Sequence, residues 1–253
     1  EGDHFGKVIW ARYASTSELD DKYYNDYGTK TDGNLFAKAN YELPFGLSLF
    51  GDLQYRTVNY KANGVQANLV DDTFNFFNPK AGLTYKISNK QSVFFSYARA
   101  NREPNRTDYK NGTPKPEQLD DFELGWKFNS SKAKLNINTY FMSYKDQLVL
   151  TGELDNVGAP IRSNSGDSHR IGLEVEATVM LSKNWIIAPN FTLSKNKNID
   201  FYTDVSGTLE NIGNTDIAYS PEVIIGNQLI FNGFKNFQIG LLSKFVGKQY
   251  LNN

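Results

Sequence analysis

Hydrophobic and polar positions alternate along most of the chain. Between Ala133 and Tyr144 the sequence AKLNINTYFMSY puts Leu135, Ile137, Thr139 and Phe141 on one face of an extended strand. Lys134, Asn136, Asn138 and Tyr140 fall on the other. Arg170–Leu181 repeats the pattern: Ile171, Leu173, Val175, Ala177, Val179 and Leu181 oppose Arg170, Glu174, Glu176 and Thr178. In Leu47–Val58, Leu47, Leu49, Leu53 and Tyr55 oppose Asp52, Gln54 and Arg56. In Asp120–Phe128, Phe122, Leu124, Trp126 and Phe128 oppose Asp121, Glu123 and Lys127. A helical period would scatter these residues around a cylinder, so strands are predicted. The segments fall at 34–43, 47–62, 77–87, 92–101, 118–128, 133–145, 168–181, 185–196, 222–232 and 237–247.

The connections carry the more specific signal. Pro44-Phe45-Gly46, Ser88-Asn89-Lys90-Gln91, Asn129-Ser130-Ser131-Lys132, Ser182-Lys183-Asn184 and Asn232-Gly233-Phe234-Lys235-Asn236 have tight-turn chemistry. The connections between these hairpins are long, about 14 to 25 residues, and rich in Asn, Asp, Gly and Pro. Short and long alternate across five hairpins. A transmembrane barrel has a reason to segregate its connections this way, with short turns on one side of the membrane and long loops on the other. The strands also suit a tilted crossing, which takes roughly 9–11 residues. Trp126 with Phe128, and Trp185 with Phe191, suit interfacial girdles.

Charge sharpens this picture. The polar face carries Lys38, Glu42, Asp52, Arg56, Lys127, Lys134, Glu174 and Glu176. A charge on the lipid face costs a few kcal/mol at midplane depth, so that face needs a hydrated or plugged lumen. Over the whole chain, 27 basic and 28 acidic residues nearly cancel, which offers no field for nucleic acid. Aromatics reach 14% of 253 residues, and mean hydropathy is only −0.52. Cysteine is absent, which excludes disulfides and thiolate metal sites.

Four stretches carry a family resemblance: FFSYARANREPNRTDY (Phe94–Tyr109), EQLDDFELGWKF (Glu117–Phe128), NVGAPIRSNSGDSHRIGLEVEATVMLSKNW (Asn156–Trp185) and GKVIWARYASTSELDDKYY (Gly6–Tyr24). In their order along the chain they resemble the middle and later strands of TonB-dependent outer-membrane receptors. The resemblance implies an all-β antiparallel meander of about ten transmembrane-type strands, an incomplete portion of a barrel of about 22 strands around a plug. It also implies import of a scarce ligand such as a ferric siderophore, haem or cobalamin, energised by TonB through the plug. Residues 1–33 are then expected as an outer loop, 34–247 as five hairpins and 248–253 as the start of the next outer loop. Neither a plug nor a terminal aromatic strand is legible, so the expectation is a piece of such a barrel in the bacterial outer membrane. It would contact lipid, associate through open strand edges and be unable to transport alone. A passive porin-like barrel and a soluble β-rich adhesin or binding module are the alternatives.

Enzyme chemistry is nearly absent. His169 beside Asp167 and Ser168 lacks a nucleophile elbow and reads as a polar loop-to-strand junction. The acid pairs Asp20-Asp21, Asp71-Asp72 and Asp120-Asp121 lack the spacing of a calcium loop and read as solvated charge. No cofactor or metal site is expected. Arg99, Arg102, Arg106 and Tyr109 cluster where a strand enters a long outer loop. Guanidinium groups and a phenol at a barrel mouth suit an anionic chelate through charge-assisted hydrogen bonds. The competing reading is that they pair with Glu103, Asp108 or lumen acids and only order the loop.

Overall fold

A computed structural model describes residues 2–10, 12, 16–64, 69–109, 112–154, 158, 160–164, 166–205 and 208–251. In chain order the strands are β1 (Gly2–Lys7), β2 (Lys22–Leu43), β3 (Leu47–Asn63), β4 (Leu69–Ser88) and β5 (Gln91–Arg102). A one-turn helix, α1 (Arg106–Tyr109), follows. Then come β6 (Glu117–Asn129), β7 (Ala133–Lys145), β8 (Leu148–Leu154), β9 (Pro160–Asn164), β10 (Ser168–Met180) and β11 (Trp185–Asn198). The last are β12 (Tyr202–Val205), β13 (Thr208–Asn211), β14 (Thr215–Asp216), β15 (Val223–Phe234) and β16 (Phe237–Val246).

One antiparallel sheet holds 12 strands in the order β1-β2-β3-β4-β5-β6-β7-β10-β11-β15-β16, with β14 paired to β11. It is an open meander: among the described residues β1 and β16 do not pair. The pairs β8–β9 and β12–β13 form separate ribbons within the long connections.

Every strand expected from alternation is present, and the register explains why. Ile137 lies opposite Trp126 on one side and Val175 on the other. Leu49 lies between Tyr41 and Leu83, and Leu229 between Ile187 and Leu241. A slip of one residue would turn every apolar side chain to the charged face, so the pairing is pinned across the whole sheet. On that second face Lys38 stands opposite Asp52, 3.4 Å from its Oδ2, and Asn138 donates to Glu123 at 3.2 Å.

The apolar face is bare. Leu35 is 78% exposed and Leu124 58% exposed, and Leu53, Phe141, Ile171 and Leu193 are exposed with them. Apolar surface left in water forgoes about 25 cal/mol per Å², a loss that hydrocarbon removes. No helix among the described residues is long and apolar enough to cross a membrane.

The short turns form where the local chemistry places them. At Pro44–Gly46, Phe45 and Gly46 both adopt positive φ, 66° and 79°. At the last hairpin, Asn236 takes the left-handed conformation (φ 59°) that Asn tolerates. Trp126 stacks on Phe128 at 6.1 Å beside one turn. Trp185 instead tilts onto Phe231 at 4.7 Å, and Phe234 and Phe237 continue the cluster around the next turn. Phe191 is paired with Val175 and Ile225 further along the strands, so it is not Trp185's neighbour.

Two connections are more ordered than the alternation suggested. The β3–β4 ladder continues to Asn63 opposite Leu69, which shortens that connection to 64–68. Within 1–33, β1 pairs with the start of β2, from Gly2 opposite Gly28 to Lys7 opposite Lys22, so this loop is itself a hairpin. The side chain of His4 and residues Glu1, Asn252 and Asn253 lie outside the described residues.

Candidate functional site

Polar chemistry concentrates at the end of the sheet that bears the long connections, and the expected site residues divide among three places there. Arg99 lies on the apolar face. Its neighbours in the row are Asp120, Ser143 and His169. Asp120 clamps the guanidinium through Nε at 2.8 Å and Nη2 at 2.9 Å. Tyr97 Oη also donates to Asp120 at 2.6 Å, and Gln118 Nε2 at 3.0 Å. This arrangement fixes a charged pair just beyond the aromatic row of Tyr97, Phe122 and Phe141. His169 stacks on Phe141 at 6.3 Å, and the hydroxyl of Ser168 is spent on Gln147 Oε1 at 2.6 Å.

Arg106 and Tyr109 lie on the other face, in a segment that folds back over β2–β4. Glu103-Pro104 ends β5, because proline cannot donate to the ladder. Asn105 caps α1: its Oδ1 accepts from the amides of Thr107 (2.9 Å) and Asp108 (3.2 Å), and Asp108 Oδ2 accepts from the amide of Asn105 (2.8 Å). This reciprocal cap fixes a turn too short to persist alone. From it Arg106 reaches Asp26 (2.9 Å) and the carbonyl of Asn63 (2.8 Å). Tyr109, 1% exposed, stacks on Tyr60 and donates to Asp72 Oδ2 at 2.5 Å. Val58, Ala62, Val70 and Phe76 are buried on the same stretch of wall, a small core between hairpins.

Glu103 anchors the other end of this segment. It accepts from Arg56 Nη1 at 2.8 Å and from Lys30, while Arg56 also grips Asp32. Burial pushes the Glu103 carboxyl up, but Lys30 and Arg56 outweigh it and hold it below its ordinary range. Burial, followed by the carboxylate of Asp72, pushes the Tyr109 phenol well above its usual value. The arrangement is a latch of coupled ion pairs and hydrogen bonds.

Arg102 occupies a third place. It pairs with Glu117 (Nε–Oε1 2.7 Å) in a groove of about 360 Å³ that is also lined by Gln147, Leu148, Val149, Arg162, Arg170 and Ile217. Arg170 lies 4.6 Å from the ring centre of Tyr144. The structure thus brings Arg106 and Tyr109 together but separates both from Arg99, and it gives Arg102 two partners, Arg162 and Arg170, that the sequence reading missed. Arg170 stood in the alternating pattern as a strand-entrance charge. Arg162 had no signal, because β9 is too short to show a period.

The chain matches the family described as TonB dependent receptor-like, beta-barrel, over residues 3–252. It is 29% identical over 126 residues to the ferric-pyoverdine 358 receptor of Pseudomonas putida, covering 48% of this chain and 15% of that protein. It is also 29% identical over 185 residues to a TonB-dependent receptor of Haemophilus influenzae, covering 68% of this chain and 49% of the relative. In fold it is similar to the siderophore receptor PiuA from Acinetobacter baumannii, with TM-score 0.73 and 15% identity over 93% of this chain and 36% of that one. The chain therefore spans about half or less of the length of each.

Proposed function

Since the chain belongs to the TonB-dependent receptor-like β-barrel family, we propose that it forms part of the wall of an outer-membrane receptor that imports an iron chelate. One observation carries this reading. A single register aligns apolar side chains on one face of the sheet and charged ones on the other, as a wall between lipid and a watered lumen requires. Named relatives that receive ferric-pyoverdine or siderophores support the choice of an iron chelate.

In this reading the long connections face outward and meet the ligand, and Arg102 faces the incoming chelate. Arg106 and Tyr109 hold the mouth in shape, while Arg99 faces the membrane boundary. Coupling to TonB runs through a plug in the rest of a longer receptor. The wall itself carries out no catalysis.

Deleting the gene and measuring uptake of radiolabelled iron chelates tests the proposal. Energy-dependent uptake of at least one chelate should disappear on deletion and return with the gene on a plasmid. Uptake that survives collapse of the proton-motive force would point to a passive pore and overturn it.

A further inference from the structure

The groove beside Arg102 has an excess of positive charge. Its lining includes a single carboxylate, Glu117, and both oxygens of that carboxylate are engaged. Oε1 takes Arg102 Nε at 2.7 Å, and Oε2 takes the amide of Leu148 at 2.8 Å. Arg162 projects from β9 and Arg170 from β10, and among the described residues no carboxylate lies within ion-pairing distance of either. The Tyr144 ring steadies the Arg170 guanidinium through a cation–π contact but brings no negative charge to balance it. Among the described residues these two guanidinium charges therefore have no carboxylate partner, and they stand beside a lining of buried Leu148, Val149 and Ile217. Such a lining excludes water from one side and strengthens any ion pair formed there.

The position of these charges is held from several directions. Asn164, at the end of β9, accepts from the amide of Lys115 at 2.8 Å and donates to the carbonyls of Lys115 and Asp146 at 3.0 and 2.6 Å. Ser168 and Gln147 tie β10 to the segment before β8. The hairpin that carries Arg162 is thus fastened over the strand that carries Arg170.

We propose that this groove binds the carboxylate arms of a polycarboxylate metal chelate, with Arg162 and Arg170 as the recognising pair and Arg102 held beside them by Glu117. The planar guanidinium fork matches a carboxylate through two parallel hydrogen bonds. At about 360 Å³ the groove is near the lower end of ligand pockets, which run from roughly 300 to 1,000 Å³. It has room for one branched carboxylate group and not for a large macrocycle. This inference rests on the receptor reading, because it takes the groove to face the ligand's entry route.

The test uses the full-length receptor in detergent and calorimetry with tricarballylate, a metal-free tricarboxylate, and separately with inorganic phosphate. Tricarballylate should bind, with affinity falling steeply as salt is raised. Arg162→Gln with Arg170→Gln should weaken it at least tenfold. The double Lys variant should recover part of the loss, and Lys235→Gln, in a short turn at the far end of the wall, should leave binding unchanged. Retained heat-modifiable gel mobility checks that each variant is folded. Absence of tricarballylate binding, or binding indifferent to the double Gln variant, overturns the proposal, and phosphate binding as tightly overturns the choice of carboxylate. Energy-dependent chelate uptake without tricarballylate binding would defeat the groove and leave the transport reading standing. Arginine-dependent binding without any energy-dependent uptake would do the reverse.

Discussion

At the scale of single residues, neighbours in sequence need not share a task. Arg99 and Arg102 differ by an odd number of positions on one strand, so the pleat sends them to opposite faces. That much was legible in the sequence, whereas their partners, Asp120 and Glu117, depended on the register with β6. The role of Tyr109 was not legible, because Asp72 and Tyr60 reach it only when the segment folds back. Tyr109→Phe removes a hydrogen bond to a carboxylate and should cost about 1.5 kcal/mol locally, read as roughly tenfold faster amide exchange over 105–109. The latch should also respond to pH at both ends. The folded carboxyl of Glu103 lies below its ordinary 4.5, so its contribution is complete above that value and is lost as pH falls through the lower folded one. Tyr109 lies above its ordinary 10.0, so its contribution holds below that value and is lost as pH rises through the raised one. A nitroxide on Thr107→Cys, in a chain with no other cysteine, should be immobile between these limits and mobile beyond them.

At the scale of elements, the sequence displays strands where lipid demands it. In 35–43 or 133–141 one face must be apolar, and alternation follows. In 22–33 both faces meet polar surroundings: Thr29, Thr31 and Gly33 back onto Lys30 and Asp32. This stretch is strand all the same, held by its ladders and by ion pairs such as Arg56 with Asp32 instead of by a hydrophobic stripe, and this is why it escaped the periodic reading. The short turns were legible because their chemistry is local. Gly46 has φ 79°, and an added Cβ would lie 3.0 Å from the carbonyl of Lys86. Gly46→Ala should therefore weaken the β2–β3 turn by about 1–2 kcal/mol, read as a lower urea midpoint for unfolding in detergent.

At the scale of the whole molecule, the two faces make opposite demands on the same substitution. Leu124→Arg on the apolar face should cost about 2–4 kcal/mol when the receptor is folded into vesicles. Asn136→Arg on the polar face should stay within about 0.5 kcal/mol. Equal losses in urea titrations would contradict the assignment of faces. The open edges have their own consequence, since unpaired strand edges recruit other strands. Residues 1–253 expressed alone should self-associate in detergent, and a single monomeric species in sedimentation would count against it.

The height of the wall is uneven. β2 runs for 22 residues, about 70 Å of extended chain, where a membrane crossing uses roughly 9–11 residues. The remainder of β2, with its partners in β3 and β4, carries Asp26, Asp32, Arg56, Lys61, Asp71 and Asp72. In a barrel whose long loops face outward, this charged parapet must pass through the hydrocarbon layer before it can stand in water on the far side. Biogenesis, more than final stability, then becomes the demanding step. Unaided insertion into a sealed bilayer should be slow, and the charged upper part of the tall hairpins, although it touches no lipid at the end, sets its pace.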